Sequence, residues 1–338
     1  MNHRRAFQHT CMTPLTPPPG SADTIPACGY ADVSARGRIR FDGRDAAAFL
    51  HALVSNDVAG LARGTGCYAV YLTPQGRMIA DLRIYHRGDH LLLDCAPGTA
   101  AGLAARFDSL VFAEDVRVKD VTAEGAVIRV VGAEAADRIA PALGVTAPAL
   151  AGAAVHDQCD IDEGFTVRTD DAIVPSFDVW VDAAWKERVV LAMAAAGAAS
   201  LAPALVEALR IEAGRPLFGV DMTAETIPLE AGLLDRAISM TKGCYVGQEV
   251  IVRVLHRGGG RVAKRLVKLR FDPALTGVPA AGTVIGIDGR ETGRITSAAW
   301  SPISGCIVAL GYVRREDAEA GVRVAVGDAS AEIVGLAG

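Results

Sequence analysis

The chain has 338 residues, 51% of them apolar, enough for a large core divided between two or three domains. Lys and Arg number 34 against 39 Asp and Glu, and the net charge of −5 argues against a general nucleic-acid or membrane-surface binder. The cysteines at 11, 28, 67, 95, 159, 244 and 306 make no CxxC and no zinc spacing. That disfavours a disulfide scaffold and a four-thiolate iron–sulfur site, and makes a reducing cytoplasm the default compartment.

Residues 1–29 carry Arg4, Arg5 and a proline cluster but no hydrophobic signal core, so they read as a disordered tail. If that tail is instead a leader, the compartment becomes an organelle matrix. No apolar run reaches membrane-spanning length; 189–199 is short and alanine-rich and reads as a buried helix. A strand is expected over 38–41 and a helix over 45–54, with Ala46, Phe49, Leu50 and Leu53 on one face. Strands at 67–72 and 78–85 flank Thr73-Pro74-Gln75-Gly76, a hairpin turn. A strand at 90–94, a helix at 99–109 and strands at 116–121 and 126–131 follow. The order is α+β rather than a regular α/β repeat. Residues 147–154 read as a small-residue connection, 177–181 as a strand, and 185–196 and 203–213 as helices. Gly258-Gly259-Gly260 marks a boundary. Beyond it, strands at 266–271, 283–287, 291–298, 307–312 and 322–326 indicate a small all-β domain over 262–338. Residues 30–258 form the preceding α+β region, in two subdomains.

Neither G-x-G-x-x-G after a strand, nor a P-loop, nor G-x-S-x-G occurs, so dinucleotide, P-loop and serine-hydrolase chemistry lack their motifs. The chemistry concentrates in Lys242-Gly243-Cys244-Tyr245-Val246-Gly247-Gln248-Glu249. A cation two residues before a cysteine favours thiolate, and so does a helix N-terminus. Val246, Val250 and Val254, with Ile251 and Leu255, predict a helix starting just after Cys244. His256 lies twelve residues beyond the thiol, three turns along that helix, so a Cys–His nucleophile is disfavoured. Cys67, Cys95 and Cys306 read as small buried hydrophobes. Arg253, His256, Arg257, Arg261, Lys264 and Arg265 read as a solvated basic face. Glu212 and Glu230 sit among apolar residues. They either organise loops or line a pocket for a nitrogen-rich ring.

The run Arg210-Ile211-Glu212-Ala213-Gly214-Arg215-Pro216, then Ile227-Pro228-Leu229-Glu230-Ala231-Gly232-Leu233, then 238–253 with its KGCYVGQE core, resembles the central signature of the YgfZ-type proteins. These are folate-binding factors in iron–sulfur cluster assembly or repair, related to the glycine cleavage T-protein, an aminomethyltransferase. Gly43-Arg44-Asp45-Ala46, Ser55-Asn56-Asp57 and Pro74-Gln75-Gly76-Arg77 resemble the family's N-terminal pattern. Gly293-Arg294-Ile295-Thr296-Ser297 and Ala309-Leu310-Gly311-Tyr312-Val313 resemble its β domain. The resemblance implies a T-protein-like ring of three subdomains ending in a small β-barrel. It implies Cys244 as the functional thiol, Lys242 as its activator, and Gly243, Tyr245, Gly247, Gln248, Glu249, Glu230, Glu212, Asn56 and Arg77 in the folate pocket or the motif loop. A tetrahydrofolate is the implied cofactor, with no tightly bound metal. Client iron–sulfur enzymes and cluster-assembly proteins are the implied partners of a monomer.

The chain departs from the T-protein pattern. The similarity puts an acid within residues 95–101, where the sequence is Cys-Ala-Pro-Gly-Thr-Ala-Ala, and a glutamate before Phe177, where it is Val174-Pro175-Ser176. Tryptophans that some relatives use for folate have Arg36 and Val206 as their nearest counterparts here. The expected function is therefore folate-binding help in assembling or repairing four-iron clusters. The alternatives are a folate-dependent aminomethyl or one-carbon transferase, and a non-catalytic scaffold for cluster-assembly partners.

Overall fold

In the computed structural model, residues 25–256 and 259–338 are described, which leaves the predicted tail up to residue 24, Arg257 and Gly258 outside the described residues. Two antiparallel sheets and a barrel account for the strands. The first sheet runs Gly66–Leu72, Met78–His86, His90–Cys95, Gly37–Asp42, Arg117–Asp120 across its width. Its hairpin turns at Gly76, which has φ 73° and so needs glycine, and Thr73 N–H closes onto Arg77 O at 2.8 Å. Because side chains alternate along a strand, one face collects Ala69, Tyr71, Leu82, Ile84 and Leu93. Helices Ala46–Leu53 and Ala100–Asp108 cover that face through Phe49, Leu50, Leu103 and Phe107, with the Phe107 ring 5.4 Å from that of Phe41.

The second sheet runs Ala199–Ser200, Gly29–Asp32, Gly125–Val131, Ser176–Asp182, Gly164–Thr169, Gln158–Ile161, parallel only in its first pair. Its outer face packs Ile128, Val130, Phe177 and Val179 against Val189 and Met193 of helix Lys186–Ala195. That helix is not buried throughout as its composition suggests, for Leu191 stands exposed beside a cavity of about 790 Å³. The inner faces of the two sheets meet through Tyr85, Leu92, Val121, Val127, Phe165, Val167 and Trp180.

The third unit is a closed six-stranded barrel in the order Lys264–Phe271, Cys306–Arg314, Arg290–Ser301, Val284–Ile287, Arg323–Val326, Ala329–Leu336. Closure removes free strand edges and encloses Val267, Leu269, Ile295, Ala309 and Ile333. Helix Pro203–Glu212 binds the barrel by charge as well as by packing. Arg210 reaches Asp221 at 2.7 Å and Ser297 Oγ at 3.1 Å, and Ser297 donates to Asp221 at 2.7 Å.

Four departures from the sequence expectations have simple causes. Cys28 is buried and Gly29 begins a strand, so these two residues belong to the fold and not to the expected tail. The hairpin Gln158–Ile161 with Gly164–Thr169 and the last barrel strand were not expected, although their apolar residues alternate with charged or small ones; no glycine or proline turn marks the Asp162-Glu163 connection, and small residues dilute the pattern in Ala329–Leu336. Within the expected connection 147–154 lies a short helix, Ala147–Ala151, whose N–H at Ala149 is capped by Thr146 Oγ1. The helix after the motif is Gln248–His256, so it begins four residues past Cys244.

Candidate functional site

The KGCYVGQE segment lies across the first sheet's hairpin and the C-terminal end of helix Ala46–Leu53. The approach to it is laced down by Asn56 Nδ2 to Arg236 O at 3.4 Å, Ser55 Oγ to Ala237 O at 2.6 Å and Ser239 N to Ser55 O at 3.0 Å. The Tyr245 ring is buried with Tyr68, Val70, Leu72 and Leu233. Gln248 folds back so that its Oε1 accepts from Tyr245 N–H at 3.2 Å, half of a capping-box arrangement. Between these anchors Gly243 and Cys244 are exposed. Glu249 is exposed in the first turn of the helix.

The Lys242 ammonium is bonded to backbone carbonyls of the neighbouring helix end. Its Nζ donates to His51 O and to Val54 O, the latter at 2.6 Å, and lies 5.1 Å from the Tyr245 ring centre. Burial pushes the amine down to about 8, opposed by the charges of Asp57 and Cys67. The helix N-terminus is displaced from the thiol. The same burial raises the Cys67 thiol to about 12, in keeping with an inert core cysteine.

The two glycines of the motif differ. Gly247 has φ 84°, and a Cβ there would stand 2.5 Å from Thr73 O, whereas a Cβ on Gly243 meets nothing within 4 Å. Gly247→Ala is therefore expected to cost about 2 kcal/mol or more through left-handed strain and the clash. Gly243→Ala should stay within about 0.5 kcal/mol of wild type. Urea denaturation of the two variants checks the contrast, and equal midpoints would contradict the loop geometry.

A second concentration of chemistry lies between the sheets. Tyr68, Arg83, Asp94 and Arg38 are register partners across four strands of the first sheet, and Asp81 shares their face. Asp94 takes Arg36 at 2.7 Å and Arg83 at 3.0 Å. Arg83 also reaches Asp171 at 2.5 Å, Asp171 pairs with Arg129 at 2.5 Å, and Arg129 holds Asp178 at 2.7 Å. This ladder of three guanidiniums and three carboxylates is charge-neutral and nearly dry. Burial works to raise Asp171, but Arg129, Arg83, Arg36 and Arg236 hold it well below the usual carboxylate range. Beside it, Asp170 ties Arg236 at 2.9 Å and Arg215 at 2.9 Å, and Arg236 lies 5.0 Å from the Tyr68 ring centre.

Asp81 stands apart from the ladder. Its Oδ2 accepts from Tyr68 Oη at 2.9 Å, and its buried Oδ1 has no partner. Burial raises its carboxyl, and the nearby Arg36 and Arg83 charges only partly offset this. An acid held toward its protonated form, with one oxygen free, is what proton transfer needs. The site thus has a buried acid, but on the strand Met78–His86, not within residues 95–101 where the family resemblance placed one. His156 adds a second unsatisfied group: burial drives it down to about 4, and its Nδ1 has no partner.

The remaining residues expected in a folate pocket are scattered. Glu212 accepts from Ser301 Oγ and Ser304 Oγ, both at 2.5 Å, and so joins its helix to the barrel. Asn56 donates to Tyr68 O at 2.8 Å, and Arg77 hydrogen-bonds Glu225 O. Those three organise loops. Glu230 is buried near Lys264 at 3.9 Å, with its carboxyl raised by burial. The 790 Å³ cavity is lined by none of the predicted site residues; Val206 lines it, while Arg36 belongs to the ladder. Among the described residues, no group of three or more His, Cys, Asp or Glu is placed to hold a metal, and no helix is long and apolar enough to cross a membrane.

Known proteins agree with this architecture. The family described as the GCVT N-terminal domain matches residues 22–242, and the glycine cleavage T-protein C-terminal barrel domain matches residues 264–334. The chain is 30% identical over 317 residues to the putative transferase At1g60990, chloroplastic, of Arabidopsis thaliana, covering 90% of this chain and 69% of that protein. It is 29% identical to the aminomethyltransferase of Rubrobacter xylanophilus, covering 85% and 76%. The solved glycine cleavage system aminomethyltransferase T from Bartonella henselae superposes with a TM-score of 0.82 at 21% identity, covering 93% of this chain and 87% of that one. With both domain matches in sequence and the two sheets and closed barrel in space, the chain belongs to the glycine cleavage T-protein family.

Proposed function

We propose that this protein is a folate-binding accessory factor that helps assemble or repair four-iron clusters on client proteins, with Cys244 as the thiol that meets the cluster or its sulfur. One observation supports this above others: an exposed thiol is held between two firmly anchored neighbours, on a loop otherwise packed into the first sheet. A pinned, solvent-facing thiol suits a macromolecular partner better than a small substrate, which needs an enclosing pocket. Asp81 Oδ1 fits a ring N–H of a pterin, since it is a buried acceptor without a donor. Tyr68 and Arg236 would flank the same ligand. A bound tetrahydrofolate would supply nitrogens able to carry a one-carbon unit.

Cys244→Ala is the test, in cells whose own copy is deleted. The activity of four-iron client enzymes under oxidative stress should fall several-fold while client protein levels hold. Full client activity would sink the cysteine-centred role.

Asp81 favours a second reading, a folate-dependent one-carbon transferase, in line with the names of the relatives. In that reading Tyr68 orients the carboxyl, the ladder excludes water, and the free oxygen exchanges a proton with the bound substrate. Turnover of an aminomethyl donor with tetrahydrofolate by the purified protein separates the two.

A further inference from the structure

The last carbonyls of an α-helix lack intrahelical donors. In helix Ala46–Leu53 this shortage is enforced by the fold. The N–H of Ser55, which would bond His51 O in a continuing helix, donates instead to Val70 O at 3.1 Å. His51 O is left at the negative end of the helix dipole, Val54 O follows just beyond the helix on extended backbone, and Lys242 Nζ takes both. The groups around that amine are His51 and Asp57, whose side chains lie 3.2 Å apart, Cys67 on the first strand of the hairpin, and the Tyr245 ring. Cys244 is not among them.

We propose that Lys242 is a positioning residue: it caps the C-terminus of helix Ala46–Leu53 from a distant part of the chain and so fixes where Cys244 is presented, rather than activating the thiol. Lys242 and the Tyr245 ring are the two posts, and the Gly243–Cys244 pair spans them in solvent. The lysine thereby links the position of the thiol to the first sheet's helix. A substitution in that helix would then disturb the reaction at Cys244 without touching it.

The proposal stands whether the thiol meets a cluster, a persulfide or a disulfide, and its test uses neither folate nor clusters. Purified full-length Lys242→Met and Lys242→Gln proteins are compared with wild type. The first readout is the pH profile of Cys244 alkylation by iodoacetamide, followed on the Cys244 peptide by mass spectrometry. The second is amide hydrogen exchange over 51–55 and 240–246. A positioning lysine predicts an unchanged alkylation midpoint in both variants. It also predicts exchange faster by roughly tenfold in Lys242→Met, with partial recovery in Lys242→Gln, which keeps two N–H donors without the charge. An alkylation midpoint raised by about one pH unit or more in both variants is what an activating cation predicts, and it would overturn the proposal. Wild-type exchange in Lys242→Met would overturn it as well. Should the methionine variant fail to fold, the glutamine variant alone decides, since its donors remain and its charge does not.

Discussion

Replacing Arg83 with methionine is expected to cost about 3–5 kcal/mol of stability, among the largest effects of any single substitution in this chain. Arg83 joins Asp94 on its own sheet to Asp171 at the second, and all three side chains are buried. Methionine fills much of the volume but leaves Asp94 with Arg36 alone and Asp171 with Arg129 alone. Each carboxylate then keeps part of its desolvation cost without the compensating charge. The exposed Arg138–Glu134 pair makes the control: its contact is as short, at 2.6 Å, yet water screens it, and Arg138→Ala should lose no more than about 0.5 kcal/mol. Chemical denaturation of both variants checks the difference. A loss under about 1 kcal/mol for Arg83→Met would mean that water reaches the ladder and shares its charges.

That ladder was written into the sequence in a form that local rules do not decode. Arg129 sits in Ala-Val-Ile-Arg-Val-Val, Asp94 in Leu-Leu-Leu-Asp-Cys, and Asp178 in Phe-Asp-Val-Trp. A lone charge inside an apolar strand requires a buried partner. Which partner depends on which sheets stack, and strand periodicity carries no information about that. The helices and the hairpins with glycine or proline turns were legible because their signals are local. The same holds for the barrel, whose strands are punctuated by Gly and Pro. The motif loop was found by its composition, but the contacts of its lysine were not legible. Adjacency in sequence placed Lys242 beside the thiol, while the fold turns its side chain toward His51 and Val54, 191 and 188 residues away. Asp81 was passed over for a related reason. In Ala-Asp-Leu-Arg-Ile-Tyr the alternation reads as one apolar face and one wet face. The second face is buried against another sheet, which changes the same aspartate from a surface charge into a raised-pKa acid.

Asp81→Asn should separate stability from function and show which of the two this acid serves. Its carboxyl is raised in the folded protein, so the native state keeps a proton that the unfolded chain releases near pH 4. Between those two values the unfolded state binds fewer protons than the native state, and stability falls as pH climbs through the window. The contribution is complete below about pH 4 and lost once the native carboxyl ionises. Asparagine keeps the acceptor for Tyr68 Oη but does not titrate, so its stability should stay level across the same window. At neutral pH the variant should be at least as stable as wild type, because no buried charge has to form. Denaturant midpoints measured from pH 4 to 8 give that comparison, and parallel curves for the two proteins would show that Asp81 is ionised in the fold throughout. Against this stands the functional arm. If the protein moves a one-carbon unit onto tetrahydrofolate, Asp81→Asn should reduce turnover by roughly 10²–10⁴-fold, the contribution of a general acid–base group. A substitution that removes a stability penalty and removes turnover together marks a residue retained for chemistry rather than for folding. If the variant instead turns over as wild type does, the proton moves elsewhere, and the transferase reading loses the one observation that favours it. A wild-type protein with no turnover, whose clients depend on Cys244 alone, would leave Asp81 as a ligand-holding acceptor. Its replacement would then weaken folate binding in a titration without altering the chemistry at the thiol.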